Sequence, residues 1–215
     1  MWKFIKRVFY ILVIINVLSL VWGRFFNPLI TIIQVEGLVK YQKLDRDYIS
    51  YDEMGDNIKR AVIASEDQNF YKHKGFDFTA IQKAYEDNQK KKKIRGGSTI
   101  SQQTAKNLFL WNGGGYFRKG LEAVFTFTIE KVWNKKIILE RYLNSIEMGQ
   151  GVFGIEAASK YYFGKSSKDL TKSEAAWIAV VLPSPKKYDP KNPTRAMQRK
   201  HARVLKQMNY MTLED

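Results

Sequence analysis

Sixteen consecutive residues without a charge, Val8 to Gly23 (VFYILVIINVLSLVWG), decide where the first segment of this chain can sit. Lys3, Lys6 and Arg7 precede the run and Arg24 closes it. As a helix it is about 24 Å long, short of a hydrocarbon core of ~30 Å. Snorkelling by Arg7 and Arg24, with Trp2 and Trp22 at the interfaces, makes up the difference. Cations ahead of the run predict a cytoplasmic N-terminus and an exported remainder. A cleaved signal peptide is the competing reading, with Val21-x-Gly23 as a poor cleavage site. A buried soluble helix is the third, and only Asn16 and Ser19 give the run any polarity.

The 215 residues suit one domain, or one domain behind an anchor. Hydrophobic residues make up 45 %, enough for a packed core. With no cysteine, disulfides and thiolate metal sites are excluded. The formal charge of +15 selects for anionic partners: nucleic acid, lipid head groups or a phosphorylated substrate.

Residues 25–50 read as a connector, its NPLITIIQVEGLV strand-like and interrupted by Pro28 and Gly37. From Asp56 onward the period is helical. Ile58, Ala61, Val62 and Ser65 share a face, as do Leu121, Val124, Phe125, Thr128, Ile129 and Val132. A basic loop is expected at residues 90–93, a helix start at Ser98-Thr99, and a flexible break at Gly113 to Gly115. Thr171-x-x-Glu174 is a capping box ahead of AAWIAVVL, which Pro183 ends, and a basic helix follows through TRAMQRKHARVLKQM. The fold class is therefore mainly α, with a tip and anchor at 1–24, a connector at 25–50 and one domain at 51–215.

Four features bear on chemistry. Glu66, in ASEDQNFYKHKGFD, falls at the edge of a buried arc, where burial raises a carboxyl toward the range of a general base. The alternative is a helix-end carboxylate beside a basic residue, while Asp67, on the far side, binds backbone or a cation. Glu122 lies on the apolar arc of its helix with Arg118 one turn before it, as an i, i+4 ion pair or as a second cleft carboxylate. GGSTISQQTAKN carries a Thr99-x-x-Gln102 capping box and two glycines that let a phosphate approach free N–H groups, with Lys106 on the same side. His73 and His201 are too far apart in the chain to pair as metal ligands by spacing. His73 reads as a structural hydrogen-bonding residue, and no nucleophile elbow occurs.

In series, these segments resemble the peptidoglycan glycosyltransferase family over about residues 50 to 210. SEDQNFYKHKGFD resembles its first motif, GGSTISQQTAKN the second, RKGLE (Arg118 to Glu122) the third and KKIILERYLN (Lys135 to Asn144) the fourth. GVFGIEAASKYYFGKS and LTKSEAAWIAVVLPSP resemble its later helices. The resemblance implies a lysozyme-like helical body with a small membrane-proximal jaw lobe behind one transmembrane helix. It also implies an enzyme that polymerises lipid II on the periplasmic side of the bacterial inner membrane. The growing lipid-linked glycan is the donor, and undecaprenyl pyrophosphate is released. Glu66 would be the general base and Glu122 the second catalytic glutamate, placing the pyrophosphate, through a divalent cation (Mg²⁺ or Mn²⁺) in one form. Lys106, Arg118 and Lys135 would hold the diphosphate, and Ser98, Thr99, Gln102 and Gln103 would line the cleft. Other cell-wall synthesis proteins are the implied partners, and nucleic acid is not, since the anchor puts the domain on the wrong side of the membrane.

One position departs from the pattern. Where the family commonly carries a further arginine, four residues before the Arg-Lys pair, this chain has Gly114. A missing cation there keeps an inactive wall-synthesis scaffold in contention. A lysozyme-like lytic enzyme is the enzymatic rival.

Overall fold

The computed structural model describes residues 2–89 and 97–214, and the side chains of residues 8, 9, 12, 13 and 88 fall outside the description. The basic stretch at 90–93 lies outside the described residues. The apolar run is part of a 24-residue helix, α1 (Trp2–Phe25). Among the described residues no helix is long and apolar enough to cross a membrane. The C-terminal end of α1 is docked. Leu20 is buried, its carbonyl accepts from Trp133 Nε1 at 2.9 Å, and the Gly23 carbonyl accepts from Arg141 Nε at 2.8 Å.

The connector is not strand-like. Residues Ile32–Tyr41 form α2, started by a capping box in which Thr31 Oγ1 accepts from Gln34 N and Gln34 Oε1 accepts from Thr31 N. Gly37 does not break this helix. A Cβ there would stand 2.8 Å from the Phe153 ring, so the glycine is a close-packing position.

A short strand β1 (Asp45–Arg46) follows, then α3 (Asp56–Glu66), α4 (Phe78–Gln89), α5 (Ile100–Phe109), α6 (Gly115–Val132) and α7 (Lys135–Ser145). β2 (Glu147–Gly149) and β3 (Val152–Phe153) complete a small sheet of order β1-β3-β2, with β1 parallel and β2 antiparallel to β3. α8 (Ile155–Phe163), α9 (Lys172–Val181) and α10 (Arg195–Met208) close the chain. The expected starts hold: Thr99 and Thr171 both form complete capping boxes.

Two helix groups face each other across α3 and α5. α3 packs on α9 and α10, and α5 packs on α6 and α7. The buried face of α3 is Ile58, Ala61, Val62 and Ile63; that of α7 is Ile138, Leu139, Tyr142 and Leu143. These join one core with Ile178 and Val181 of α9.

The KKIILERYLN helix doubles as a clamp on the connector. Glu140 accepts from Tyr51 N at 3.0 Å. The fully buried Asn144 accepts from Ile49 N at 3.2 Å and donates to Ile49 O at 2.8 Å, completing both backbone groups as a sheet neighbour would. Asn144→Ala removes both bonds from half-buried backbone groups and empties a fully buried position, so we expect a loss of about 2–4 kcal/mol. Thermal unfolding should read this as a fall in Tm of roughly 5–12 °C.

Candidate active site

Glu66 is the last residue of α3, and Asp67 breaks the helix with φ −159° and ψ 77°. Asp67 is buried and fully engaged. Its carboxylate accepts from Ile100 N at 2.9 Å, at the N-terminus of α5 where a negative charge is favoured, and from His73 Nε2 at 3.0 Å. Gly75 N donates to His73 Nδ1 at 3.1 Å, so Nδ1 is the acceptor and the ring proton sits on Nε2, facing Asp67. Asp67, expected to bind backbone or a cation, and His73, expected to be a structural hydrogen-bonding residue, thus meet as a pair that the sequence did not single out. They tie α3 to α5 and leave the Glu66 side chain to face the cleft.

That cleft has a volume of about 440 Å³ and is lined by Glu66, Asn69, Asp77, Lys83, Ser98 and Thr99 among others. The Glu66 side chain is 13 % exposed. Its Oε1 lies 2.9 Å from Ser65 Oγ and 3.6 Å from Lys200 Nζ, and its Oε2 accepts from Gln103 Nε2 at 3.3 Å. Tyr142 OH donates to Gln103 Oε1 at 3.0 Å, which turns the Gln103 amide nitrogen toward Glu66. Burial, then the negative charges of Glu66 and Asp67, push the Tyr142 phenol well above its usual range, so it stays a neutral donor.

One turn along α5 from Gln103 a cationic cluster begins. Glu122 is 3 % exposed, and its Oε2 pairs with Arg118 Nη1 at 2.7 Å while its Oε1 pairs with Lys119 Nζ. Lys119 also donates to Ser98 Oγ at 3.0 Å, joining this cluster to the rim of the Glu66 cleft. Burial pushes the Lys106 ammonium below the usual lysine range, against the pull of Glu122 and with the push of Arg118. The Lys106 ammonium makes no hydrogen bond or ion pair among the described residues. Three cations therefore lie around one buried carboxylate, and near Arg118 and Lys106, where water is largely excluded, the excess of positive charge acts strongly.

The expected site residues divide. Glu66, Gln103 and Ser98 meet at the cleft, and Lys106, Arg118 and Glu122 meet beside it. Thr99 lines the cleft, but its hydroxyl and the buried Gln102 amide are spent on the capping box, and Thr99 Oγ1 also donates to Gly75 O at 2.6 Å. Lys135 goes elsewhere. It pairs with Glu130 at 2.6 Å, lies over the Phe70 ring at 4.6 Å and lines a separate groove with Trp133 and His73. Lys200 and Lys119 were not singled out from sequence. Lys200 lies about 60° from Met197 and 40° from Val204 on the wheel of α10, the arc-edge placement that marks Glu66.

The transglycosylase family model matches residues 34–209 of this chain. The chain belongs to the transglycosylase family. Curated relatives include the biosynthetic peptidoglycan transglycosylase of Mannheimia succiniciproducens, 52 % identical over 171 residues, covering 80 % of this chain and 70 % of the relative. The protein of the same name from Caulobacter vibrioides is 44 % identical over 214 residues, covering 96 % and 93 %. That from Bacteroides thetaiotaomicron is 42 % identical over 200 residues, covering 90 % and 81 %.

In this transglycosylase the glycine run has its own use. Gly114, at φ +81°, precedes α6, and a Cβ there would stand 2.9 Å from Arg118 Cβ and 3.0 Å from Trp111 Nε1. The neighbouring Gly113 carbonyl accepts from Arg118 Nε at 2.5 Å and aims the guanidinium at Glu122. An arginine side chain at 114 has no room in this arrangement. The donor set also does not fit a divalent cation at Glu122. Both of its oxygens are held by cations, and the described residues hold no group of three or more carboxylates or histidines that suits a metal.

Proposed function

We propose that this transglycosylase polymerises lipid II, with Glu66 as the general base and the Lys106–Arg118–Lys119 cluster as the seat of the leaving diphosphate. One observation carries the reading: a carboxylate with an accessible lone pair stands beside a cluster whose cations outnumber its carboxylates. Glu66 Oε2 takes the proton of the acceptor's 4-hydroxyl as that oxygen bonds to the donor C1. The bond from C1 to the diphosphate oxygen breaks, and the electron pair leaves with the diphosphate. Such a leaving group needs cations aimed at its developing charge more than it needs a proton donor. Glu122, buried between Arg118 and Lys119, positions those cations. No step runs through a metal.

A hydrolase acting on a sugar leaving group needs a protonated acid opposite the nucleophile. The second carboxylate here is clamped by two cations, which disfavours the lytic reading. The relatives' shared name supports peptidoglycan as the substrate class. The polarity of Lys3, Lys6 and Arg7 around the apolar run supports α1 as a single-pass inner-membrane anchor, with residues 25–50 as connector and 51–215 as a lysozyme-like periplasmic domain. The full chain should convert labelled lipid II into long glycan and leave preformed glycan uncut. Cleavage of preformed glycan without polymer from lipid II would establish the lytic enzyme instead. Neither activity from folded protein would establish the scaffold.

A further inference from the structure

The two oxygens of Glu66 are held unequally. Among the described residues, Oε2 has one long hydrogen bond, from the Gln103 amide at 3.3 Å. Oε1 has Ser65 Oγ at 2.9 Å and the Lys200 ammonium at 3.6 Å. The Ser65 hydroxyl has a single proton, and Ala179 O competes for it at 3.1 Å. The terminal torsion of a glutamate is broad and roughly two-fold, so one long bond to Oε2 and one hydroxyl proton shared with Ala179 O set its orientation less firmly than a neighbouring positive charge does. We infer that Lys200 is a positioning residue for the base: it clamps Oε1 so that Oε2 is the oxygen offered to the acceptor hydroxyl.

The placement of Lys200 is enforced by its helix. Met197, Val204 and Met208 are buried on α10, which packs against both α3 and α9. His201 stacks on Trp177 of α9 with ring centroids 4.0 Å apart and 13° between planes, and its Nε2 lies 3.0 Å from Ser173 O. These contacts fix the register of α10, and with it the height at which the next-door Lys200 meets Glu66.

The other charged groups around the base do not duplicate the contact. Asp67 is adjacent but committed to His73 and Ile100 N. Tyr142 is neutral and reaches Gln103. Lys83, Asp77 and Asp87 line the same cleft, with no hydrogen bond or ion pair to Glu66 among the described residues. Arg203, one turn along α10, bears on Lys200. Burial holds the Lys200 ammonium below the usual lysine range even with Glu66 beside it. A cation withdrawn from water at such expense serves no stability purpose that an apolar side chain would not serve better.

The inference rests on Glu66 being the base, and the test separates the two. The full chain, Glu66→Gln, Lys200→Met and Lys200→Arg are assayed with labelled lipid II in detergent micelles, and each is melted. Lys200→Met should lose about 10- to 100-fold in kcat, the scale of a base displaced by an ångström or so, with KM within about two-fold. Its Tm should not fall, and Lys200→Arg should recover to within about three-fold of the full chain. If methionine is not accepted at this position, Lys200→Gln carries the same prediction. Full turnover by Lys200→Met, a loss confined to KM, or an arginine variant as poor as methionine would each overturn the inference. If Glu66→Gln itself polymerises, the assignment of the base fails; if it is inactive while Lys200→Met is not, only the role of Lys200 fails.

Discussion

Lys106→Met should abolish polymerisation and at the same time raise the melting temperature. The ammonium is held below the usual lysine range chiefly by burial, so the folded state carries the charge less readily than the unfolded chain does. Below the folded value the ammonium is charged in both states and burying it is unfavourable. That penalty fades only as the pH rises through the folded and then the unfolded value. Methionine removes the penalty at neutral pH, and a rise in Tm of a few degrees follows. Turnover should fall by about 100-fold or more, the scale seen when one preorganised charge-stabilising group is removed from an active site. The same depressed titration predicts that wild-type activity declines on the alkaline side below the range of an ordinary lysine. A rate–pH profile alongside differential scanning calorimetry checks both. A variant that is less stable, or one that still polymerises, contradicts the role given to Lys106.

Glu122→Gln should act in the opposite sense on stability. Glu122 is the buried counter-ion of Arg118 and Lys119, and its loss leaves two cations facing each other and Lys106. Breaking a buried pair from one side is strongly unfavourable, and the half-exposed Lys119 relieves part of it, so about 2–3 kcal/mol is expected. The Tm should fall by roughly 4–10 °C. Activity should drop by about 100-fold or more, because the cations lose the geometry in which they meet the diphosphate. Circular dichroism melts and a single-turnover assay on lipid II read the two effects separately. Unchanged activity in a destabilised variant would make Glu122 a purely structural counter-ion.

Local signals in the sequence were legible where one helix supplies both partners. Thr99 with Gln102 and Thr171 with Glu174 cap their helices as their spacing predicts, and Arg118 meets Glu122 one turn away. The same Thr-x-x-Gln signal at Thr31 and Gln34 starts α2, but Pro28 and Gly37 on either side read as breakers. Gly37 is instead demanded by the Phe153 ring, a contact more than 100 residues away that no local pattern records. Long-range pairings were the main loss. Lys200 reaches Glu66 from 134 residues further on, and a lysine in a helix crowded with arginines reads as part of a solvated face. Lys135 shows the converse. The resemblance places it at the diphosphate, while the turn at Trp133 and Asn134 folds it back on Glu130. The pairing of Asp67 with His73 was missed although only six residues separate them, because a loop and not a helix brings them together.

The most direct test of the account is the conversion of labelled lipid II to glycan by the full chain and by Glu66→Gln, run side by side on a gel that resolves chain length. Glutamine keeps the shape of Glu66 and a carbonyl oxygen to accept from the Gln103 amide, while its own amide nitrogen can donate to Ser65 Oγ, so the variant should fold as the wild type does. We predict long polymer from the wild type, with one diphosphate carrier released for each glycosidic bond formed, and at least about 1,000-fold less from Glu66→Gln. Comparable polymer from the two proteins would contradict Glu66 as the base, and no polymer from a wild-type chain that melts cooperatively would contradict the polymerase itself.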